Sequence, residues 1–315
     1  MWYNISRSFY LEGVFVNRFK EIKQNIYHLV PSSAEFGSAV TLVTGKNTFL
    51  INCGASDAAV TGVIVPALKA LGLTPKDIDY VVFTHCEPET LGGLHKLKRL
   101  APEIHVLATA EQVQRIINPT YYAAELCSVF PDHAPPFREI KGVLVDARIN
   151  PDDIIFRELR PIDPLNKSPL ICWYHTDSGT LVCGNMVQGD GTAETGVAFF
   201  RDVRAYRTVL KYLSTLQLSA MLLSHNYKDA PAVTLNNTLD PERIGDPTAK
   251  NECLDAITNS IEHVKRYATL ADEYIKATRK KHELPTVEGF VTEYFPEKTA
   301  PQCLGYAMLT FNEFI

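Results

Sequence analysis

A short polar segment, residues 84–93, carries the side chains best suited to chemistry. His85, Glu87 and Glu89 alternate along it, so an extended backbone would point one imidazole and two carboxylates to the same side. Such a set can bind one divalent metal, either iron, manganese or zinc. Without a metal, the same groups can act as an acid and base pair, with the pKa of Glu87 or Glu89 raised by the neighbouring carboxylate. The spacing leaves both alternatives open.

The elements around this segment are predicted from hydrophobic periodicity. The apolar run over residues 79–84 predicts a strand, and Gly92 and Gly93 allow the chain to turn into a helix. Helices and strands alternate on both sides of the segment, which is typical of an α/β fold. Further strands are predicted over residues 26–52, 104–108, 142–159, 170–174, 180–183 and 220–223, and helices over 59–71, 94–100, 112–117 and 203–216.

The chain changes character near residue 240. Residues 251–281 form a long charged amphipathic stretch with few helix breakers, which predicts a single helix, and shorter helices are predicted to follow. We therefore expect two parts, a mixed domain over residues 1–240 and a helical C-terminal extension over residues 241–315. The extension is expected either to cap a pocket or to pair two subunits.

Composition and charge limit the classes of protein to which this chain can belong. The 315 residues are 46% hydrophobic and 21% charged, which is typical of a soluble globular protein. A net charge of -5 without a long basic run argues against nucleic-acid binding, and no apolar run is long enough to span a membrane. The chain starts without a signal segment, and its seven cysteines lack a CxxC pair, which favours reduced buried thiols. We expect a cytoplasmic protein that binds a small-molecule substrate or ligand.

A glycine-containing loop is a second candidate site. Gly189, Asp190, Gly191 and Thr192 follow a predicted strand, with Glu194 and Thr195 shortly after them. The loop could bind a phosphate or a substrate, but glycines that serve a turn explain it more simply.

The segment His85-Cys86-Glu87-Pro88-Glu89-Thr90 resembles the HxHxDH motif of the metallo-β-lactamase superfamily. Other segments resemble further motifs of that family, in the family's order: Phe49–Gly54, Asp163–Asn166, Leu181–Asn185 and Leu222–His225. The resemblance implies a four-layer αβ/βα sandwich. In this fold two mixed sheets pack face to face and helices cover both outer sides, and here the helical C-terminal extension would be added.

The resemblance also implies which residues would hold a metal. His85 and His225 keep the family's histidines, whereas Glu87 stands at a histidine position and Glu89 at the aspartate position. Neutral side chains replace the family's residues at four more pocket positions: Asn52, Thr90, Asn166 and Asn185. Because Asn185 replaces the aspartate that bridges two metal ions, we expect the two-metal centre to be lost. One metal held by His85, Glu87, Glu89 and His225 is one remaining expectation, and no metal is the other.

Three functions follow from the resemblance. The first is hydrolysis of an ester, lactone, thioester or amide, with Glu87 and Glu89 as the catalytic carboxylates and one metal or a carboxylate base. The second is a metal-free binding or regulatory protein on the same fold. The third is an iron redox protein, because Glu87 resembles the glutamate ligand of the flavodiiron members.

Overall fold

Two β-sheets form the centre of the molecule in the computed structural model. The structure describes residues 17–33, 37–120, 124, 128–133, 139–151, 153–163, 170–192, 197–200, 202–243, 245–296 and 301–315. The first sheet has the order β1 to β7: Lys20–Lys23, Ile26–Leu29, Val40–Val43, Phe49–Ile51, Tyr80–Val82, His105–Ala108 and Ala147–Arg148. The second sheet has the order β12-β11-β10-β9-β8, with the strands in chain order β8 to β12: Leu159–Ile162, Cys172–His175, Thr180–Gly184, Ala220–Leu223 and Val233–Leu235.

Both sheets are mixed. Strands β1 to β4 pair antiparallel, and β4 to β7 pair parallel. In the second sheet β10 and β11 are parallel, while the other three pairs are antiparallel. The parallel pairs require crossover connections, and helices supply them. The α-helices α1 to α9 span Asp57–Ala59, Val65–Ala70, Pro88–Leu91, Leu94–Leu100, Ala110–Ile117, Val203–Leu213, Glu252–Lys280, Val287–Tyr294 and Pro301–Phe311, and a π-helical turn, Val60–Ile64, joins α1 to α2.

Three hydrophobic clusters separate four layers. Residues such as Phe49 and Val82 of the first sheet meet Trp173 and Leu222 of the second sheet in the central cluster. The outer face of the first sheet packs against the π-helical turn, α2, α4 and α5, and the outer face of the second packs against α6 to α9. The predicted four-layer αβ/βα sandwich is confirmed.

The prediction of strands over residues 142–159 is wrong for most of that stretch. Among the described residues of that stretch, the structure has the two-residue strand β7 at Ala147–Arg148 and the first residue of β8, Leu159. Before it, Val143 donates its backbone N–H to Ile116 O, 3.1 Å away, and packs beside the end of α5. Apolar residues before β7 therefore pack in the cluster that contains α5, whereas Ile149 and Ile155 lie in the central cluster between the sheets.

The C-terminal helices belong to the outer layer of the second sheet. The long helix α7 places Cys253, Ile257, Val264 and Tyr267 in the same cluster as Leu181 and Met221 of the sheet. These positions recur at helical spacing, so one face of α7 is buried along most of its length. Among the described residues, none of the helices combines the length and the apolar composition that crossing a membrane requires.

The cysteines of the described residues follow the sequence expectation. Cys53, Cys86, Cys172, Cys183 and Cys253 are buried and unpaired. Burial raises the pKa of the Cys86 thiol, so this residue is an inert thiol beside the candidate ligands.

Candidate active site

Four polar residues gather where strands of both sheets end. Asn52 follows β4, His85 follows β5, Asn185 follows β10 and His225 follows β11. These strands include the parallel pairs of the two sheets, so their carboxyl ends meet at one edge of the sandwich. Ligands of open α/β sheets bind at such an edge.

A contact with Thr84 orients the His85 ring. Its Nδ1 lies 2.9 Å from Thr84 Oγ1, and its side chain is buried. Thr84 is fixed in turn by Asn52, whose Nδ2 lies 3.1 Å from Thr84 Oγ1 and whose Oδ1 accepts the Thr84 backbone N–H at 3.1 Å. Gly184 allows the end of β10 to lie against this pair: its φ is +57°, and a Cβ there would collide with the Thr84 side chain.

Glu89 is the centre of the site. Its Oε1 lies 2.8 Å from His85 Nε2 and accepts the Asn185 side-chain N–H at 2.9 Å. Its Oε2 lies 3.0 Å from His225 Nε2. The carboxylate therefore joins residues that follow three different strands.

These neighbours keep Glu89 ionised. Burial favours the neutral acid and raises the pKa, but the positive charge available on His225 and the hydrogen bonds from His225 and His85 outweigh burial. The pKa of Glu89 consequently lies well below its ordinary value, and the expectation of a raised pKa is wrong for this residue. Spacing indicated a nearby carboxylate but did not reveal that His225 and His85 both contact Glu89.

Tyr227 orients Asn185 and was not predicted. Its hydroxyl donates to Asn185 Oδ1 at 2.8 Å, which turns the Asn185 amide N–H towards Glu89. Burial, followed by the negative charge of Glu89, raises the pKa of Tyr227 well above its ordinary value, so the hydroxyl stays protonated. The position of Tyr227, two residues after His225, is the only sequence signal that could have suggested this role.

Comparison with known proteins identifies the scaffold. The family model described as the metallo-beta-lactamase superfamily matches residues 34–225, which is more than half of the chain. The chain belongs to the metallo-β-lactamase superfamily. The resemblance predicted from the motif segments is therefore confirmed. A comparison with curated proteins found no match.

Solved structures of the superfamily share the fold. A metallo-β-lactamase family protein of Thermus thermophilus has a TM-score of 0.62 and 14% identity, covering 91% of this chain and 92% of its own. The metallo-β-lactamase SMB-1, bound to 2-mercaptoethanesulfonate, has a TM-score of 0.54 and 14% identity, covering 82% and 96%. A Cronobacter sakazakii metallo-β-lactamase, a variant of an enzyme with the HARLDQ motif, has a TM-score of 0.51 and 15% identity, covering 84% and 99%. At these identities the likeness shows the fold.

Thr90, at a pocket position of the superfamily motif, bonds backbone groups in this chain. Thr90 is fully buried, and its hydroxyl donates to the His85 carbonyl oxygen at 2.6 Å. The Thr90 hydroxyl oxygen also accepts the Glu87 backbone N–H at 3.3 Å, at the start of α3. These contacts close the loop between His85 and Glu89 and engage the Thr90 hydroxyl both as a donor and as an acceptor.

The remaining side chains with ligand atoms fit one divalent metal ion. Ligand atoms of His85, Glu87 and Glu89 all lie within 4.8 Å of one another, and His225 reaches this group through Glu89. If a cation binds His85 Nε2, the ring proton must lie on Nδ1. Thr84 Oγ1 can accept a hydrogen bond from Nδ1, because the Thr84 hydroxyl can donate its own proton to Asn52 Oδ1, 3.2 Å away. Asn166 lies outside the described residues.

Proposed function

We propose that this member of the superfamily is a hydrolase of an ester, lactone, thioester or amide that uses at most one divalent metal. The observation that carries the proposal is the convergence of His85, Glu87 and Glu89 within 4.8 Å. One imidazole with two carboxylates suits iron, manganese or zinc. The neutral Asn185 and the engaged Thr90 support the absence of a second metal.

The roles of the residues follow from their contacts. His85, Glu87 and Glu89 would hold the ion, with His225 beside them, and a bound ion would polarise a carbonyl group and make bound water more acidic. Asn185 and His225 donate to Glu89 and balance its charge. Glu89, with its lowered pKa, is a weak base, so we assign general-base chemistry in a metal-free reaction to Glu87.

A specific observation favours a second candidate, a metal-free binding protein. Glu89 is already saturated by His85, His225 and Asn185, so its negative charge does not need a cation for compensation. In this version the edge of the sandwich would bind a small polar ligand without turnover.

Elemental analysis by plasma mass spectrometry tests the metal-dependent form of the hydrolase. Protein purified without chelator from metal-supplemented medium is expected to carry about one equivalent of one transition metal, and His85→Ala is expected to lose it. His105→Ala is the matched control, because His105 is exposed at the start of β6 and should retain the metal. Near-zero metal in all three proteins would eliminate the metal-dependent hydrolase and leave the Glu87 general-base reaction or the binding protein, whereas two equivalents would contradict the single-metal proposal.

A further inference from the structure

Two loops that supply the site from the second sheet are tied to the middle of α7. The loop after β10 carries Asn185 and then Asp190, and the loop after β11 carries His225, Tyr227 and then Asp229. Helix α7 lies beyond residue 225, where the superfamily match ends. Its contacts to the loops are therefore a feature that the matched region does not contain.

Asp190 anchors the first loop. Its Oδ1 accepts hydrogen bonds from Arg266 Nη2 at 2.7 Å and from the Tyr267 hydroxyl at 2.6 Å. The neighbouring Gly189 donates its backbone N–H to Ser260 Oγ at 2.9 Å. Tyr267 is fully buried, so this end of the contact is fixed by the core.

Asp229 anchors the second loop and couples it to the first. Its Oδ2 lies 2.6 Å from His263 Nε2, while His263 Nδ1 lies 3.5 Å from Asp190 Oδ1. Lys228 bonds the two loops directly, since its backbone N–H donates to Gly191 O at 3.1 Å. Its ammonium group also lies 3.7 Å from Asp190 Oδ2.

These contacts favour the turn interpretation of residues 189–192, and Glu194 and Thr195 of the same predicted loop lie outside the described residues. The Asp190 carboxylate is engaged with Arg266 and Tyr267, and the Gly189 N–H is already engaged with Ser260. Gly191 has a φ of +81°, and a Cβ there would collide with the backbone of Val197. The glycines serve a turn that presents Asp190 to α7.

We propose that α7 is a positioning element of the candidate site, with Asp190 and Asp229 as positioning residues. On both loops, a hydrogen bond to a backbone carbonyl oxygen lies between the aspartate and the site residue. Gln188 donates to the Asn185 carbonyl oxygen at 2.8 Å, and the Tyr227 backbone N–H donates to Ala230 O at 3.0 Å, next to Asp229. Tyr227 and Asn185 then meet across the loops at 2.8 Å. Releasing either aspartate loosens the pair that orients the donors to Glu89.

The inference concerns the site of the proposed hydrolase, but its test does not need a metal. The variant Asp190→Asn/Asp229→Asn keeps the shapes of both side chains and removes both charges. The readout is the solvent exchange rate of the His225 Nε2 proton, which donates to Glu89, measured by NMR on protein with labelled histidine. We expect the rate to rise about tenfold, because the loop opens more often when its ties are weaker.

Glu262→Gln is the matched control. Glu262 forms an exposed pair with Lys265 on the same helix, 2.6 Å apart. Its substitution should leave the exchange rate unchanged. Tyr267→Phe removes one hydrogen bond to Asp190 and keeps the ring in the core, so it is the milder variant if the double substitution prevents folding. We expect about a threefold rise for it.

A cobalt(II) titration of the same proteins separates this inference from the proposed function. If the wild-type protein binds cobalt, the double variant should bind it about tenfold more weakly. If no protein binds cobalt, the metallohydrolase fails while the exchange rates still decide the positioning role. Exchange rates equal to those of the wild type in both the double variant and Tyr267→Phe would overturn the inference, even if the thermal midpoint fell.

Discussion

Glu89 shows how one side chain sets the electrostatics of this site. A glutamate reaches one methylene further than the aspartate that stands at this position in the superfamily motif, and here its two oxygens contact His85 and His225 at 2.8 Å and 3.0 Å. Desolvation alone would make the carboxylate expensive to bury. The surrounding donors offset that cost and keep it charged, so Glu89 suits ligation or binding better than proton abstraction.

Restoring a charge at Asn185 tests this balance. Asn185→Asp would place a second carboxylate 2.9 Å from Glu89 Oε1. With a chelator present, the repulsion is expected to lower the free energy of unfolding by about 2 kcal/mol. With zinc or cobalt added, the extra carboxylate is expected to raise metal affinity instead. Thermal unfolding and metal titration measure the two effects.

Asn226→Asp is the control for the Asn185 variant. It adds the same charge one residue after His225, on an exposed side chain whose Oδ1 accepts the Ala232 N–H at 3.0 Å. Equal effects of the two substitutions would show that net charge, and not the contact with Glu89, is responsible.

At the scale of elements, His28 ties the two sheets together. It lies buried on β2, with Nδ1 2.9 Å from Thr41 Oγ1 and Nε2 3.2 Å from the Leu223 carbonyl oxygen at the end of β11. Burial lowers the pKa of His28 to about 4, although the hydrogen bond to Leu223 opposes the shift. The neutral ring therefore donates to Leu223, two residues before His225.

This histidine makes stability depend on pH. Between pH 6.5 and pH 4 the unfolded chain binds a proton at His28 that the folded chain does not, so the free energy of unfolding falls as the pH falls. The loss is expected to be about 2 kcal/mol between pH 7.5 and pH 5. Urea unfolding at the two pH values should show this contribution disappearing in His28→Gln. His105→Gln, on an exposed histidine of β6, should retain it, and identical pH dependence in both variants would refute the assignment.

At the scale of the whole molecule, the C-terminal helices share the core of the second sheet. Phe290 of α8 is fully buried, and its ring centroid lies 5.1 Å from that of Phe311 and 5.5 Å from that of Tyr274. Tyr267 of α7 meets Phe311 edge-on with centroids 5.1 Å apart. These rings lie in one cluster with Leu181 and Met221 of the sheet, so we expect residues 241–315 to unfold together with the rest.

Truncation of Phe290 tests this cooperativity. Phe290→Ala is expected to destabilise the whole protein by about 3–5 kcal/mol. In a Trp2→Phe background, the fluorescence of Trp173 reports on the central core, and circular dichroism reports on the helices. Both probes should shift to the same lower denaturant midpoint, whereas Leu284→Ala, at a side chain that is 88% exposed, should shift neither. A shift in helicity alone would support the separate extension that the sequence predicts.

The fold was largely predictable because its signals are local. Hydrophobic runs located β5, β6, β10 and β11, and the long amphipathic stretch located α7. The order of the motif segments then indicated the superfamily, and the histidine and glutamates of residues 85–89 indicated the candidate ligands. The error at residues 142–159 arose because apolar alternation records burial, whether the burying partner is a strand or a helix.

What the sequence by itself determined, therefore, is the scaffold and the types of the residues at the ends of its strands. Only the tertiary structure decided how those residues act. The lowered pKa of Glu89 depends on His225 and His85, which follow β11 and β5. The Tyr227 contact to Asn185 joins residues 42 positions apart, and the Tyr267 contact to Asp190 joins residues 77 positions apart. Hydrogen bonds and charge interactions depend on distances of a few ångströms in space, and a pattern read along one chain does not contain those distances.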